Sequence, residues 1–433
     1  MRSLLAILAA CFGLLSVLVA ATASADEATD KAPPPRFGSD PEDPSTLLNE
    51  IRRRRVQRES LLPVSPLKWL HDATGRADAV IYRKTCIALG LTLNHLFQWA
   101  SDALPGKDDW GTTTDLDFVA SWELANRGQP TQGELYVHVE GRWDYGTTGP
   151  QTLGFESLGT AGGTANAFSE YVPTFLVRNL YWEQGSQEAG WAVRIGKITP
   201  DSILATSAHV SPVTTFLPHV GTGFFSSGYP DSGLGVAGIW FPNNRLRIMG
   251  LVSDANANRF DFGDIGAGDF YKAAELGVKL AAKAKRAGFS KFTVWHTDAT
   301  KNGSNAALGP EGWGLTAKVE HELTCDGRAI GILRWGKSWN DSSLFEEQAG
   351  AHFLYYDPPG PAGLKNDVVG VAVNWVKSVA AGARDEYNVE VFYRFALFPG
   401  VDTRLSYQSV INPALTRDLD HVSLFSLGLR SVF

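Results

Sequence analysis

The last thirteen residues, His421-Val-Ser-Leu-Phe-Ser-Leu-Gly-Leu-Arg-Ser-Val-Phe433, constrain this chain more than any other stretch. Stepping back by twos from the end, one register holds Phe433, Ser431, Leu429, Leu427 and Phe425. The other holds Val432, Arg430, Gly428, Ser426 and Leu424. Side chains of a strand alternate between its two faces, so this segment is a strand set between two different media. It stops on an aromatic residue. A half-buried strand of a soluble sandwich and a lipid-facing strand that closes a barrel both fit this segment alone.

The amino terminus separates those readings. Arg2 is followed by an apolar run from Leu4 to Ala21 and by Ala23-Ser24-Ala25. A charged start, an apolar core and a small-x-small site predict a secretory signal peptide over residues 1–25, cleaved before Asp26. Arg2 is the only charged residue removed, so the net charge moves from −7 to −8. Cys86 and Cys325 remain. Two cysteines make no disulfide framework, and the strand pattern puts them on non-adjacent strands, so they are expected to stay unpaired. No later run reaches the ~18 apolar residues a membrane helix needs. The exported chain therefore stays soluble in the periplasm or crosses the outer membrane as a barrel. An aromatic content of 11%, 44 glycines and only 2 methionines favour a sheet-rich chain with many turns. Mild acidity without a dominant basic face argues against nucleic-acid binding.

Residues 26–68 read as a separate periplasmic lead-in, largely without regular structure. Ala32-Pro-Pro-Pro-Arg36 and Asp40-Pro-Glu-Asp-Pro44 cannot sustain a hydrogen-bonded ladder. A short helix from Ser45 to Ser60 would carry Arg52-Arg-Arg-Arg55, a run read as a solvated basic stretch or a contact for an anionic polymer or headgroup.

From there to Phe433 the chain, taken as one barrel domain over 69–433, repeats alternating segments. In the first, Thr85–Trp99, Ile87, Leu89, Leu91, Leu93, Phe97 and Trp99 oppose Ala88, Gly90, Thr92, Asn94 and Gln98. The second sets Leu116, Phe118, Ala120 and Trp122 against Asp115, Asp117, Ser121 and Glu123. The third sets Leu135, Val137, Val139, Trp143 and Tyr145 against Tyr136, His138, Glu140, Arg142 and Asp144. Apolar faces ending in Trp or Tyr, opposite faces of paired charges and hydroxyls, suit lipid outside and an aqueous lumen inside. Further strands are expected near 173–184, 190–198, 234–241, 246–252, 273–282, 288–296, 313–323, 328–336, 346–356, 367–375, 386–396, 401–410 and 421–433, about sixteen in all. Connections alternate between tight turns rich in Gly, Pro, Asn and Asp and longer polar loops, the asymmetry of a transmembrane antiparallel β-barrel. The longest, Thr199 to Gly233, is the third outer loop. Its prolines 212, 218 and 230 and its aromatics Phe216, Phe224, Phe225 and Tyr229 require a surface to pack on, and the barrel interior offers one. A lid over the mouth is the alternative.

The final third resembles the carbohydrate-selective outer-membrane porins (OprB-like). The similarity rests on Gly331-Ile-Leu-Arg-Trp-Gly336, Asn366-Asp-Val-Val-Gly-Val-Ala-Val-Asn374, Glu386-Tyr-Asn-Val-Glu-Val-Phe-Tyr-Arg394, Ser406-Tyr-Gln-Ser-Val-Ile-Asn-Pro413, and Gly428-Leu-Arg430 with Phe433. Earlier, Val193-Arg-Ile-Gly-Lys197 followed by Asp201 is similar to the strand leading into that family's constriction loop. The chain departs from the family at Val401-Asp-Thr-Arg404, where a Pro-Asp pair is usual, and at Ser431. The resemblance implies passive, selective diffusion of glucose-like monosaccharides. A sugar's CH face suits aromatic rings and its hydroxyl rim suits charged donors and acceptors. Lumen-facing constriction candidates are His138, Glu140, Arg142, Arg178, Trp182, Arg194, Lys197 and Asp201. Each could instead serve a structural ion pair between strands. No cofactor and no metal site is expected: His321-Glu322 continues as Leu-Thr-Cys rather than toward a second ligand histidine. No Gly-x-Ser-x-Gly elbow is present, and an enzyme is not expected. Expected partners are small carbohydrates and the outer-membrane lipid and lipopolysaccharide, with the chain a homo-trimer or a monomer. A porin for organic acids or other polar solutes, and a non-transporting structural or adhesive barrel, are the alternatives.

Overall fold

The computed structural model describes residues 37, 43–54, 59–172, 174–281, 284–299, 311–359 and 367–433. The expected signal peptide lies outside the described residues, as do the side chains of Arg52–Arg55. Sixteen strands follow one another: β1 (Ile87–Ala100), β2 (Trp110–Ala125), β3 (Gly133–Asp144), β4 (Phe175–Ser186), β5 (Trp191–Ile198), β6 (Gly233–Asn243), β7 (Leu246–Asp254) and β8 (Phe270–Val278). The second half comprises β9 (Ser290–Thr297), β10 (Gly312–Glu322), β11 (Ala329–Trp339), β12 (Phe345–Tyr356), β13 (Val368–Ser378), β14 (Glu386–Phe398), β15 (Val401–Ile411) and β16 (His421–Val432). Each pairs antiparallel with its sequence neighbour, and β16 returns to β1 to close the barrel. The closing register runs from Thr92 opposite Val432 to Ala100 opposite Leu424. The all-β barrel of sixteen strands expected from the period-two pattern is thus the fold. The strand expected near 273–282 lies earlier, at 270–278.

Alternation explains the closure. On β1, Thr92, Asn94, Leu96 and Gln98 are buried toward the lumen, while Phe97 and Trp99 are exposed on the outer wall. A closed sheet leaves no unpaired edge, and period-two alternation fixes which face is wet. Cys86 and Cys325 are both free, as expected.

The third long loop, residues 199–232, is folded into the lumen. Buried Phe216 packs with its loop neighbour Val210 against Ile330, Leu354 and Phe392 on the inner wall. Wall side chains hold its backbone. Glu275 accepts from Ala205 N–H at 2.6 Å, Glu390 from Leu217 N–H at 2.9 Å, and Gln348 from Ser226 N–H at 3.0 Å. Arg404 donates to the carbonyls of Pro212 and Thr215 at 2.6 and 2.8 Å, and Arg334 to those of Gly221 and Gly223. Several of the residues that carry the family resemblance are therefore loop holders. The second long loop, residues 145–174, also turns inward. Glu386 accepts from Ala161 and Gly162 N–H, Gln408 donates to the Thr164 carbonyl, and Phe168 packs with Leu96 and Leu217. Unpaired loop N–H and C=O groups inside a barrel need such partners.

The helix expected from Ser45 is present in the lead-in and is seated against the barrel wall. Helix α1 spans Pro44–Arg54, and its apolar face, Leu47, Leu48 and Ile51, is buried against Ala88, Val119 and Val432. It occupies the lumen at the short-turn rim. Asp43 caps it, accepting from Ser45 N–H at 3.1 Å and Ser45 Oγ at 2.6 Å, with Pro44 at the first helical position. Gly90 leaves the space the helix fills: a Cβ there would lie 2.4 Å from Ile51 Cδ1. Helix α2 (Lys68–Thr85) precedes β1, so the domain expected to start its strands at Thr85 begins with a helix. It stops at Cys86, whose left-handed φ of 60° breaks the helical run.

Candidate functional site

A β-bulge between β3 and β4 organises a cluster of charged side chains on the inner wall. The register shifts between His138 and Val139, so Arg178 and Asn179, adjacent in sequence, both turn toward the lumen. On β3, Arg142 donates from Nε to Asp115 at 2.9 Å and from Nη2 to Glu140 at 2.5 Å. Arg178 reaches the other Glu140 oxygen at 3.2 Å and the Tyr171 hydroxyl at 3.1 Å. Tyr171, from the inserted second loop, donates to Glu140 at 2.9 Å. Its ring lies between two guanidiniums, 4.6 Å from Arg142 and 5.1 Å from Arg259. Arg259, from the loop after β7, is paired in turn with Asp231 at 2.5 Å. Charged hydrogen bonds at these distances, with cations over an aromatic face, hold a rigid and charge-compensated collar.

The collar faces a cavity of about 260 Å³ lined by Arg142, Tyr171, Arg178, Asp201, His219 and Tyr229, among others. Asp201 sits in the short turn Pro200–Ser202 where the third loop leaves β5. Burial raises its pKa above the usual carboxylate value, with Arg178 opposing the rise. His219, on the third loop between Phe155 and Phe225, has its pKa pushed down to about 3 by burial and by Arg142. It is neutral at pH 7. A smaller cavity of about 70 Å³ shares Asn166, Asp201 and Tyr229 with the first and extends to Lys318 and Arg334.

Of the eight residues singled out from the sequence, Arg142, Arg178 and Asp201 line the main cavity, and Glu140 ties the two arginines together. His138 is the lumen-facing residue of β3 just before Glu140, bonded to Asp117 at 2.9 Å and near Asn179. Arg194 is fully buried elsewhere: it donates to Asp43 at 2.6 Å and to Glu183 at 2.6 Å and stacks on Tyr181. It holds the lead-in, not the cavity. Trp182 faces the outer wall, opposite Leu135. Strict alternation from Arg178 would have put it inside; the bulge reverses the parity. Lys197 shares the outward register of Ile195 and is covered at the rim by the loop after β7, donating to the Arg259 carbonyl at 2.9 Å beneath Phe262. Sequence reasoning missed Tyr171, Arg259 and Asp231, and missed that α1 lies inside the barrel. Only Asp43-Pro44, a cap followed by proline, carried a readable signal, and that for α1.

Asp115, Asp117 and Glu140 bring carboxylate oxygens within 4.8 Å of one another, a grouping that could hold a cation. Arg142, Arg178 and His138 already engage those oxygens, so guanidinium and imidazole occupy the place of a metal.

No family model and no curated protein sequence matches the chain. Among solved structures it is similar to OprB of Pseudomonas putida determined at high pH, with a TM-score of 0.67 and 11% identity over 87% of this chain and 99% of that one. It is similar to the low-pH structure of the same protein with a TM-score of 0.51, at the same identity and coverage. At that identity the likeness establishes the architecture. Together with the closed sheet and the inserted third loop, it identifies the chain as a sixteen-stranded barrel with the fold of the porin OprB.

Proposed function

We propose that this chain is an outer-membrane porin for passive diffusion of small neutral carbohydrates, glucose-like monosaccharides in particular. The observation that carries the reading is the composition of the main cavity. Three guanidiniums, Arg142, Arg178 and Arg259, are set against Asp115, Glu140, Asp231 and Asp201, so neither sign of charge dominates. Tyr171, Phe155, Phe225 and Tyr229 add ring surfaces to the same wall. A balanced polar rim beside aromatic faces suits a neutral polyol better than an ion, because a free ion gains no net field to offset its lost hydration. Many weak contacts also let the solute leave, which conduction requires. The apolar outer wall with exposed Trp99, Trp110, Trp191 and Trp240 supports placement in a bilayer, with Phe433 and the helix that leads into β1 at the short-turn, periplasmic side.

The test is planar-bilayer conductance of the purified barrel with added solute. Glucose should reduce the ion current in a concentration-dependent way, and an equal-sized amino acid should not. Block by a small organic acid with none by glucose would replace this reading with an anion-selective porin. Absence of any conductance would leave a structural or adhesive barrel.

A further inference from the structure

The strand walls end unevenly at the short-turn rim, and helix α2 fills the gap. The chain end pairs with β1 only as far back as Leu91, which exchanges backbone hydrogen bonds with Phe433, so the first residues of β1 extend past it. There Asp78 of α2 accepts from Leu89 N–H at 2.6 Å, in place of a neighbouring strand. The helix is tied at both ends to the barrel's outer rim. His71 stacks on Phe433 with ring centroids 4.7 Å apart, and the outward Trp122 donates its indole N–H to the Thr85 carbonyl at 3.1 Å. Just before the helix, Leu61 and Leu62 donate backbone N–H groups to Ala396 and Leu397 at 2.9 Å each, extending the rim beyond β14.

This stretch exposes more apolar surface than a water-facing rim should. Leu61 is 49% exposed, Leu62 45%, Val64 72% and Trp69 58%. Four large apolar residues within nine positions form a patch rather than scattered exposure. The patch is continuous with the wall. At the same rim the outward tryptophans Trp122, Trp191 and Trp240 mark the aromatic belt on the β2-to-β6 side. The β14–β16–β1 sector has no strand tryptophan at that end among the described residues, and Trp69 stands there instead. Exposed Lys68, paired with Asp72 at 2.7 Å, and Arg76 lie beside the patch on α2, and Arg83 and Lys84 are exposed at the far end of the helix.

We infer that residues 61–69 and the amino-terminal turn of α2 dip into the headgroup region of the periplasmic leaflet, anchoring the rim to phospholipid. Leucine, valine and tryptophan would enter the interface while the basic residues meet phosphate groups, the arrangement of an interfacial helix. The anchor rests on the barrel spanning a bilayer but not on which solute it conducts.

The test uses full-length protein carrying Cys86→Ser and Cys325→Ser, with one new cysteine made by Trp69→Cys, Val64→Cys or, as a control in the β10–β11 turn, Asp326→Cys. Each is labelled with an environment-sensitive fluorophore and reconstituted in phosphatidylethanolamine and phosphatidylglycerol vesicles. Lipids spin-labelled near the headgroup should abolish most of the emission at positions 64 and 69 and little at 326, while aqueous iodide should do the reverse. Iodide quenching at 64 and 69 equal to that at 326, without lipid quenching, would overturn the anchor and leave the patch facing a soluble partner. Ion conductance of the same vesicles separates that failure from a failure of the barrel to insert.

Discussion

Replacing Asp43 by Asn should release helix α1 from the lumen. The Arg194 guanidinium is completely buried and makes four charged hydrogen bonds, two to Asp43 at 2.6 and 3.2 Å and two to Glu183 at 2.9 and 2.6 Å. Breaking a buried pair from one side typically costs about 3–5 kcal/mol, because the remaining charge keeps its desolvation penalty. Asparagine keeps an N-cap acceptor for Ser45 N–H, so the substitution removes the charge while leaving the cap in place. Against this, α1 is held by three buried apolar side chains, Leu47, Leu48 and Ile51, each worth about 1.5–3 kcal/mol, and by Glu50 bonded to Arg430 at 2.9 Å. The lost interaction is thus comparable to most of the apolar gain. It corresponds to a rise of about 10²–4 × 10³ in the undocked-to-docked ratio, at ~1.4 kcal/mol per tenfold. Single-channel conductance of the variant should rise, and limited proteolysis should cut between residues 37 and 59 faster than in the parent chain. Gly90→Leu should do the same by occupying the position of Ile51. Unchanged conductance and cleavage in both variants would refute the account of α1 as an element seated in the lumen by the Asp43–Arg194 pair.

Arg178→Gln removes one cation from the collar while leaving Arg142 on Glu140; reversal potentials in a salt gradient should move toward cation selectivity, and glucose block should weaken. Trp182→Leu should leave both conductance and glucose block unchanged, because the ring faces the outer wall; an altered block would contradict the bulge-reversed parity. Acid should loosen the third loop. With its folded pKa near 3, His219 takes up a proton far more readily once undocked, near the usual 6.5. Stability from this group therefore falls as pH drops from 6.5 toward 3, by about 2 kcal/mol at pH 5, at 1.36 kcal/mol per pH unit. His209, also lowered by burial, acts in the same direction. Protection factors for amide exchange over residues 199–232, corrected for the intrinsic pH dependence of exchange, should be lower at pH 5 than at pH 7.5, and equal protection at both would count against this.

The barrel was legible in the sequence because its cause is local: side chains on a strand alternate, and a wall between lipid and water forces the alternation to repeat. The closing pair of β1 and β16, the inward Arg430 and the third loop's inward packing all follow from that pattern and from that loop's aromatic content. The site was only partly legible, because it depends on contacts between segments remote in sequence. Alternation counts faithfully only until a bulge, and one extra residue near Arg178 sends Trp182 outward. Lys197 keeps an outward register, and nothing in the residues around it reveals that the loop after β7 covers it. Tyr171 reads as an ordinary loop residue until two arginines from different elements close on its ring. Asp43-Pro44 announces a helix, but not that the helix lies inside the barrel; that depends on Arg194 and Gly90 presenting a charge and a vacancy from strands far along the chain. Period-two alternation and turn residues are enough to specify the sheet, its closure and its two-faced wall. What fills the lumen is another matter, because the buried ion pairs and loop contacts that fill it are set by three-dimensional meeting points that no local spacing encodes.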